Sequence, residues 1–149
     1  MKAVEKVTDT KGDQITIDRI RQFEKELNNF PQTECPLVHR FLDGMYAREI
    51  TMKKGTLLTS KMHKKENLTI ISKGKVIEVT EDEHIREIEA PFTMISPAGV
   101  KRVLYILEDT IWTTVHKNVE NIEDLGKLED MIIQKEPEML EKEESKCLG

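Results

Sequence analysis

The chain has 149 residues, of which 38% are hydrophobic, enough for one domain with a single core. Its 28 acidic and 23 basic residues give a net charge of −5, all of it carried by residues 117–149, and this balance excludes a nucleic-acid surface. No apolar run reaches the ~20 residues of a membrane helix and the start lacks a signal-peptide core, so we expect a cytoplasmic protein without membrane contact. Cys35 and Cys147 predict neither a metal motif nor a disulfide framework.

The N-terminal residues 1–34 are assigned to an arm and a helix. Residues 2–14 are charged and aperiodic, and Thr16 is a suitable N-cap for a helix that ends before Pro31. Its apolar residues follow helical spacing: Ile17, Ile20, Phe23 and Leu27. We expect this stripe to dock on the protein's own barrel or on that of a neighbour.

From Pro36 to His116 the hydrophobic period changes to two, which predicts eight or nine short strands. The candidate strands are PLVHRFL, MYAREITM, TLLTSKMH, NLTIIS, KVIEVT, IREIEA, FTMIS, KRVLYIL and TIWTTVH. Turns are predicted at Asp43–Gly44, Gly74–Lys75 and Glu108–Asp109. The spacing is typical of an antiparallel sandwich or barrel, here assigned to residues 35–116.

Residues 117–149 are assigned to a short helix and an acidic, partly disordered tail. Asn121 to Asp124 resembles a capping box, and the apolar residues after it follow helical spacing: Leu125, Leu128, Met131 and Ile132. The charged segment after Pro137 lacks the apolar residues that an ordered core needs.

The strand region resembles the double-stranded β-helix, or jelly roll, of the RmlC-like cupin superfamily. The first cupin motif has a glycine, a His-x-His pair, a glutamate and a second glycine, which fall here at Gly55, Lys61, His63, Asn67 and Gly74. The proline and glycine of the second motif fall at Pro97 and Gly99, with Arg102 in place of its histidine. The resemblance implies a mainly β cupin-like barrel in which one of four metal-ligand positions is kept.

A closer resemblance covers Cys35 to His116, carried by CPLVHRFLDGMYAREI, GTLLTSKMHKKEN and ISPAGVKRVLYILEDTIWTTVH. These segments are similar to small cupin-like proteins encoded by bacteriophages and prophages. The resemblance implies a phage protein in the host cytoplasm. Small cupins pair through their outer strands, so it also implies a homodimer or higher homo-oligomer.

The first candidate site group is His63 with Lys64 and Asn67. Lys61 and His63 share one face of a strand, and a lysine buried beside the imidazole would keep His63 neutral as a ligand, base or hydrogen-bond partner. The alternative is a solvated rim, because the segment SKMHKKE is very polar.

Arg102 and the last strand form the second group. An inward Arg102 requires an internal carboxylate or an anionic ligand, and the structural alternative is a pair with a nearby glutamate: Glu49, Glu66 or Glu108. Lys101 is expected to point outward. Trp112 shares a face with Thr114 and His116, where it either stacks on a planar ligand or closes the barrel end.

His39, Tyr46 and Arg48, on the first two strands, complete the ligand-binding candidates. His63, His116 and His39 would be the ligands if a divalent metal were bound, but the spacing does not support a metal and no cofactor is certain. Gly-x-Ser-x-Gly is absent, and the adjacent carboxylates Glu108 and Asp109 are not arranged as an acid–base pair.

Three hypotheses of function remain open. The first is a non-catalytic binding protein that holds a small anionic or nucleotide-like ligand between Trp112, His63, Arg102 and His116, and that sequesters a host metabolite or defence signal. The second is an isomerase, lyase or hydrolase, metal-dependent or metal-free, with His63 as ligand or base. The third is a phage structural or host-interaction protein that uses the arm and the tail.

Overall fold

The computed structural model describes residues 22, 25–26, 34–80 and 84–134. These residues form seven strands and one complete helix: β1 Leu37–Leu42, β2 Met45–Met52, β3 Leu57–Thr59, β4 Asn67–Thr80, β5 Ile85–Glu89, β6 Phe92–Ser96, β7 Arg102–Lys117 and α1 Leu125–Ile132. Gln22, Lys25 and Glu26 are helical, while the rest of the predicted N-terminal helix and the acidic tail lie outside the described residues. Of the described helical residues, none belongs to a helix long and apolar enough to cross a membrane.

Two long strands, β4 and β7, connect the two faces of the barrel. The second half of β7 pairs with β2 and with the first half of β4, and β1 and β6 complete this five-stranded sheet. The first half of β7 pairs with β3 and with the second half of β4, which β5 extends into a four-stranded sheet. Every pair is antiparallel, and the fold is mainly β, as the sequence predicts.

The predicted turns at Gly74–Lys75 and Glu108–Asp109 are wrong, because both lie within the long strands. The β4–β7 register shifts three times between Ile71 and Val76, so the strands bend there without losing their pairing. Gly74 has a φ of 101°, and a side chain at that position would collide with the backbone of Thr110. The predicted eight or nine strands therefore become seven. The turn at Asp43–Gly44 is confirmed, with a φ of 77° at Gly44.

An apolar core fills the centre of the barrel. Its buried members come from five strands and one preceding residue: Cys35, Ile50, Met52, Leu58, Ile71, Val76, Ile88, Leu104, Ile106 and Trp112. The indole of Trp112 is 3% exposed and is part of this core.

The structure differs from the expectations for Lys101 and Cys35. Lys101 is fully buried instead of pointing outward, and Cys35 is disulfide-bonded. The chain's other cysteine lies outside the described residues.

Helix α1 covers one end of the barrel. Its N-cap is Asp124 and not the predicted Asn121, because the Asp124 side chain accepts a hydrogen bond from the Lys127 amide at 3.1 Å. Asn121 has a φ of 53° and accepts a hydrogen bond from the amide of Gly44 at 2.8 Å. After α1 the chain pairs with the barrel again through a β-bridge between Ile133 and His63. The helix is thus fastened directly above His63.

Candidate ligand-binding site

A cavity of about 180 Å³ lies between the end of the barrel and α1. The barrel contributes a wall of mostly polar side chains: Leu37, His39, Tyr46, Arg48, His63 and His116. The helix and the residue after it contribute a mostly apolar wall: Leu125, Leu128, Glu129, Ile132 and Ile133. The cavity therefore has one polar side and one apolar side.

Four aromatic rings form a row along the polar wall. The ring centroids of His39 and Tyr46 lie 5.9 Å apart, those of Tyr46 and His116 also 5.9 Å, and those of His116 and His63 5.0 Å. Tyr46 and His116 are partners in the β2–β7 register, which explains their stacking. His39 Nδ1 lies 2.7 Å from the Tyr46 hydroxyl, and His116 Nε2 lies 2.9 Å from the hydroxyl of Thr114. These two hydrogen bonds fix the middle of the row.

The imidazoles of this wall are neutral near pH 7. Burial, assisted by His116, Arg48 and Arg102, lowers the pKa of His63 to about 3. Burial and the charge of Arg48 lower the pKa of His116 to about 4 and also lower the pKa of His39. Burial raises the pKa of the Tyr46 hydroxyl, which keeps its proton. Among the described residues of this wall, Arg48 alone carries a full positive charge, since a guanidinium stays protonated in proteins.

Two polar atoms of the wall lack hydrogen-bond partners. Among the buried side-chain atoms of the described residues, Nη2 of Arg48 and Nε2 of His63 have none. The side chain of His63 is 5% exposed, and its ring lines the cavity. Buried polar groups are almost always paired, and an exception calls for a bound molecule or a functional reason.

The structure brings His39, Tyr46, Arg48, His63 and His116 together in one cavity wall. Lys64 lies outside it, because its exposed side chain donates to the carbonyl of Asp130 at 2.7 Å and so fastens α1.

Two further candidates, Asn67 and Trp112, are buried, but neither contributes to the wall.

The alternative that the segment SKMHKKE forms a solvated rim is wrong at His63. Residues 58–63 are all buried, and only the residues that follow, 64–66, are exposed. The polar segment therefore divides at His63 into an inner part and an outer part.

Arg102 is likewise absent from the cavity, because it has an internal partner. Its Nε lies 2.7 Å from Oε2 of Glu78, an ion pair without hydrogen-bond alignment, and its Nη2 donates to the hydroxyl of Ser96 at 2.9 Å. Glu78 is 2% exposed and also binds Arg86 at 2.7 Å. The alternative that Arg102 forms a structural ion pair with a glutamate is thus correct, but the glutamate is Glu78 and not Glu49, Glu66 or Glu108. Glu78 lies two residues after the buried Val76 and therefore on the same face of β4, a signal available in the sequence.

The spacing of Leu125, Leu128 and Ile132 predicts an apolar helix face, but it does not indicate that this face forms one wall of a cavity. Nor does the sequence single out Glu129, which lies on the same wall. Its carboxylate lies 3.7 Å from Nζ of Lys61, whose side chain is 7% exposed, so the charge of this wall residue is compensated.

Comparisons with known proteins bear on the fold. No protein-family model matches the chain, and no curated protein is similar to it in sequence. A protein from Klebsiella pneumoniae with a double-stranded β-helix domain superposes with a TM-score of 0.50 at 12% identity, covering 62% of this chain and 85% of its own. A salicylate 1,2-dioxygenase from Pseudaminobacter salicylatoxidans gives 0.52 at 11% identity, covering 77% of this chain and 35% of its own. An RmlC-like cupin from Methanocaldococcus jannaschii gives 0.46 at 15%, covering 59% and 85%.

The fold is the cupin double-stranded β-helix. At these identities the cupin likeness concerns the fold alone, and the chain spans about a third of the dioxygenase. The predicted mainly β, cupin-like barrel with a short C-terminal helix is confirmed by the strand order and by the Klebsiella and Pseudaminobacter structures.

The side chains at the cupin metal positions do not fit a metal ion. Lys61 is paired with Glu129, Arg102 is paired with Glu78, and Asn67 offers an amide, which leaves His63 as the one imidazole of the motif. The alternative set His63, His116 and His39 is interrupted by the ring of Tyr46. In the described part of the chain, no group of three or more His, Cys, Asp or Glu side chains could hold a metal.

Proposed function

We propose that this protein is a non-catalytic binding protein that holds a small anionic ligand in the cavity between the barrel and α1. The observation that carries the proposal is the pair of unpartnered atoms, Nη2 of Arg48 and Nε2 of His63, on side chains of the polar wall. An anion that accepts hydrogen bonds from both would satisfy them, and charge-assisted bonds to arginine are among the stronger ones.

The size of the cavity favours a small ligand over a nucleotide-like one. A volume of about 180 Å³ is below the ~300 Å³ at which pockets for drug-sized ligands begin. Trp112, the residue expected to stack on a planar ligand, lies in the apolar core. The proposed ligand therefore lies against the row of rings from His39 to His63, and not against the indole.

The protonation states favour binding over catalysis. A general base works best when its pKa lies near the working pH, and those of His63 and His116, at about 3 and 4, are far below it. The raised pKa of Tyr46 makes it a weak acid. The wall offers hydrogen bonds and one fixed charge, which suits recognition.

The test is ligand retention and stabilisation. Protein purified from a bacterial cytoplasm is denatured gently, and the released small molecules and metals are identified by mass spectrometry. We expect an organic anion that the Arg48→Gln variant does not retain, while Arg40→Gln, which changes an exposed arginine paired with Glu49, retains it. Equal retention by both variants would refute the proposal, and stoichiometric metal lost on His63→Ala would favour a metal enzyme.

The resemblance to phage cupin-like proteins suggests a setting for this activity. In that setting the protein sequesters a host metabolite or a defence signal in the host cytoplasm. Expression of the wild type and of Arg48→Gln in a bacterial host, followed by comparison of free metabolite levels, would test it. Unchanged levels of every metabolite would contradict the sequestration role but leave binding itself intact.

We also propose that the protein forms a homodimer through the outer face of its five-stranded sheet. Cross-strand partners place Ile95, Leu68, Val115 and Ala47 in one apolar row, with Ile95 66% exposed. Exposed apolar rows on a sheet often mark self-association. Ile95→Lys should give a monomer by light scattering, whereas Val119→Lys, at an exposed residue outside the sheet, should not. A wild-type monomer would refute the dimer.

A further inference from the structure

We propose that the ligand is a monocarboxylate with a short apolar chain, whose carboxylate binds Arg48 and whose chain lies against α1. This inference rests on the proposed function and names the ligand class of the same cavity. It follows from the charge, the hydrogen-bonding groups and the two-sided chemistry of the walls.

The charge of the walls fits one negative charge. Arg48 contributes the single fixed positive charge among the described lining residues, and the histidines of the polar wall are neutral. The carboxylate of Glu129 lies at the opposite wall and is compensated by Lys61 at 3.7 Å. A phosphate dianion would need a second cation, or a proton on His63 or His116 that their environment opposes. A monoanion needs neither.

The hydrogen-bonding groups fit a carboxylate. A carboxylate only accepts hydrogen bonds, and its two oxygens match the donor fork of a guanidinium. Nη2 of Arg48 has no other acceptor among the described residues, and Nε2 of His63 is a donor in one of its two neutral tautomers. One carboxylate group would therefore satisfy both unpartnered atoms.

The apolar wall fits a short hydrocarbon chain. Leu125, Leu128 and Ile132 line the cavity from α1, and Leu37 adds an apolar side chain from the barrel. At a share of ~30 Å³ per water molecule, the cavity holds about six water-sized groups. Butyrate has six non-hydrogen atoms, so this volume favours acids of about four carbons, whereas the end of a longer chain would lie outside the cavity.

The test is a ligand series measured by calorimetry and thermal shift on the full chain at pH 7. The probes are acetate, butyrate, hexanoate and decanoate, with butyramide as the uncharged match of butyrate and inorganic phosphate as the alternative anion. We expect tightest binding for butyrate, and at least tenfold weaker binding for butyramide and phosphate. Arg48→Gln should weaken butyrate at least tenfold, while the surface variant Arg40→Gln should bind it as the wild type does.

A second variant checks where the chain lies. Leu128→Phe adds volume to the apolar wall and should shift the preference toward acetate, without changing the discrimination against butyramide. Circular dichroism confirms that each variant is folded. Equal affinity for butyramide or phosphate, still lost in Arg48→Gln, would overturn the carboxylate assignment but keep the binding cavity. Failure of every probe, together with no molecule retained from the cell, would overturn the proposed function as well.

Discussion

Two inward arginines of the same barrel have opposite surroundings. Arg102 lies on β7, where Glu78 and Ser96 bind its guanidinium. Arg48 lies on β2 beside the cavity, and its Nη2 atom has no partner among the described side chains. A buried guanidinium with a carboxylate is part of the fold, whereas one without a partner is available to a ligand. The surroundings, and not the residue type, separate structure from function here.

The largest expected effect comes from removing the partner of Arg102. Glu78→Ala leaves two arginines, Arg102 and Arg86, without their carboxylate, and Arg102 remains 5% exposed. Breaking a buried pair from one side costs about 3–5 kcal/mol of unfolding free energy. Urea denaturation followed by circular dichroism measures it.

The matched control for that variant is Glu49→Ala. Glu49 pairs with Arg40 at 2.9 Å on the surface, where the side chain of Arg40 is 57% exposed. Such pairs contribute about 0–1 kcal/mol. If Glu78→Ala destabilised the protein no more than Glu49→Ala does, Arg102 would not depend on its ion pair, and the contrast with Arg48 would fail.

A second effect is a loss of stability in mild acid, specific to the cavity end. The pKa values of His63 and His116 are lowered to about 3 and 4, so the unfolded chain takes up protons near pH 6.5 while the folded protein does not. The stability is therefore complete above about pH 6.5 and is lost progressively as the pH falls toward 3. Between pH 7 and 5.5 the two histidines together should cost about 2.5 kcal/mol.

Urea denaturation at a series of pH values measures this loss. The double variant His63→Gln, His116→Gln should flatten the dependence. An unchanged slope in the double variant would show that other groups are responsible for the acid sensitivity.

The sequence was sufficient for most strands but not for the distribution of polar residues between structure and cavity. Alternation along β2 and β7 correctly placed Tyr46 with Arg48 and Trp112 with His116 on shared faces, because the period of two is a local property of a strand. It did not show that Trp112 is in the core and His116 is at the cavity. That difference depends on which part of a bent strand the residue occupies.

The bends themselves could not be predicted, because they replace two turns that the local signals favoured. Gly74 and the acidic pair Glu108 and Asp109 are typical turn residues, yet both segments continue as strands since their backbones pair with each other. The position of α1 on the barrel also could not be predicted from the sequence. The spacing of its leucines predicts an apolar helix face. The surface on which that face docks depends on the bridge between Ile133 and His63, two residues far apart in the sequence.

A smaller effect is expected from the cap of the helix that covers Arg48. Asp124→Ala removes the bond to the Lys127 amide and should cost about 1 kcal/mol. Hydrogen exchange should accelerate in residues 125–132 and remain slow around Trp112, because only the cavity end depends on α1. The exposed neighbour Glu123→Ala serves as control. Equal acceleration at both ends would mean that α1 and the core open as one unit.

The smallest expected change in stability, that of Arg48→Met, is the most informative for the comparison between Arg48 and Arg102. Arg48→Met keeps much of the side-chain volume but removes the charge, and no side chain of the described part of the protein loses a hydrogen bond to Nη2. Burial lowers the pKa of the Arg48 guanidinium and outweighs the opposing effect of the Glu129 charge, so the unfolding free energy of the ligand-free protein should change by less than about 1 kcal/mol in Arg48→Met. Arg102→Met, measured in the same denaturation series, should cost several times more, because it leaves the buried carboxylate of Glu78 with Arg86 as its one remaining cation among the described residues. A large loss in Arg48→Met would assign Arg48 to the fold, as Arg102 is, and would leave the cavity without its charge for a ligand.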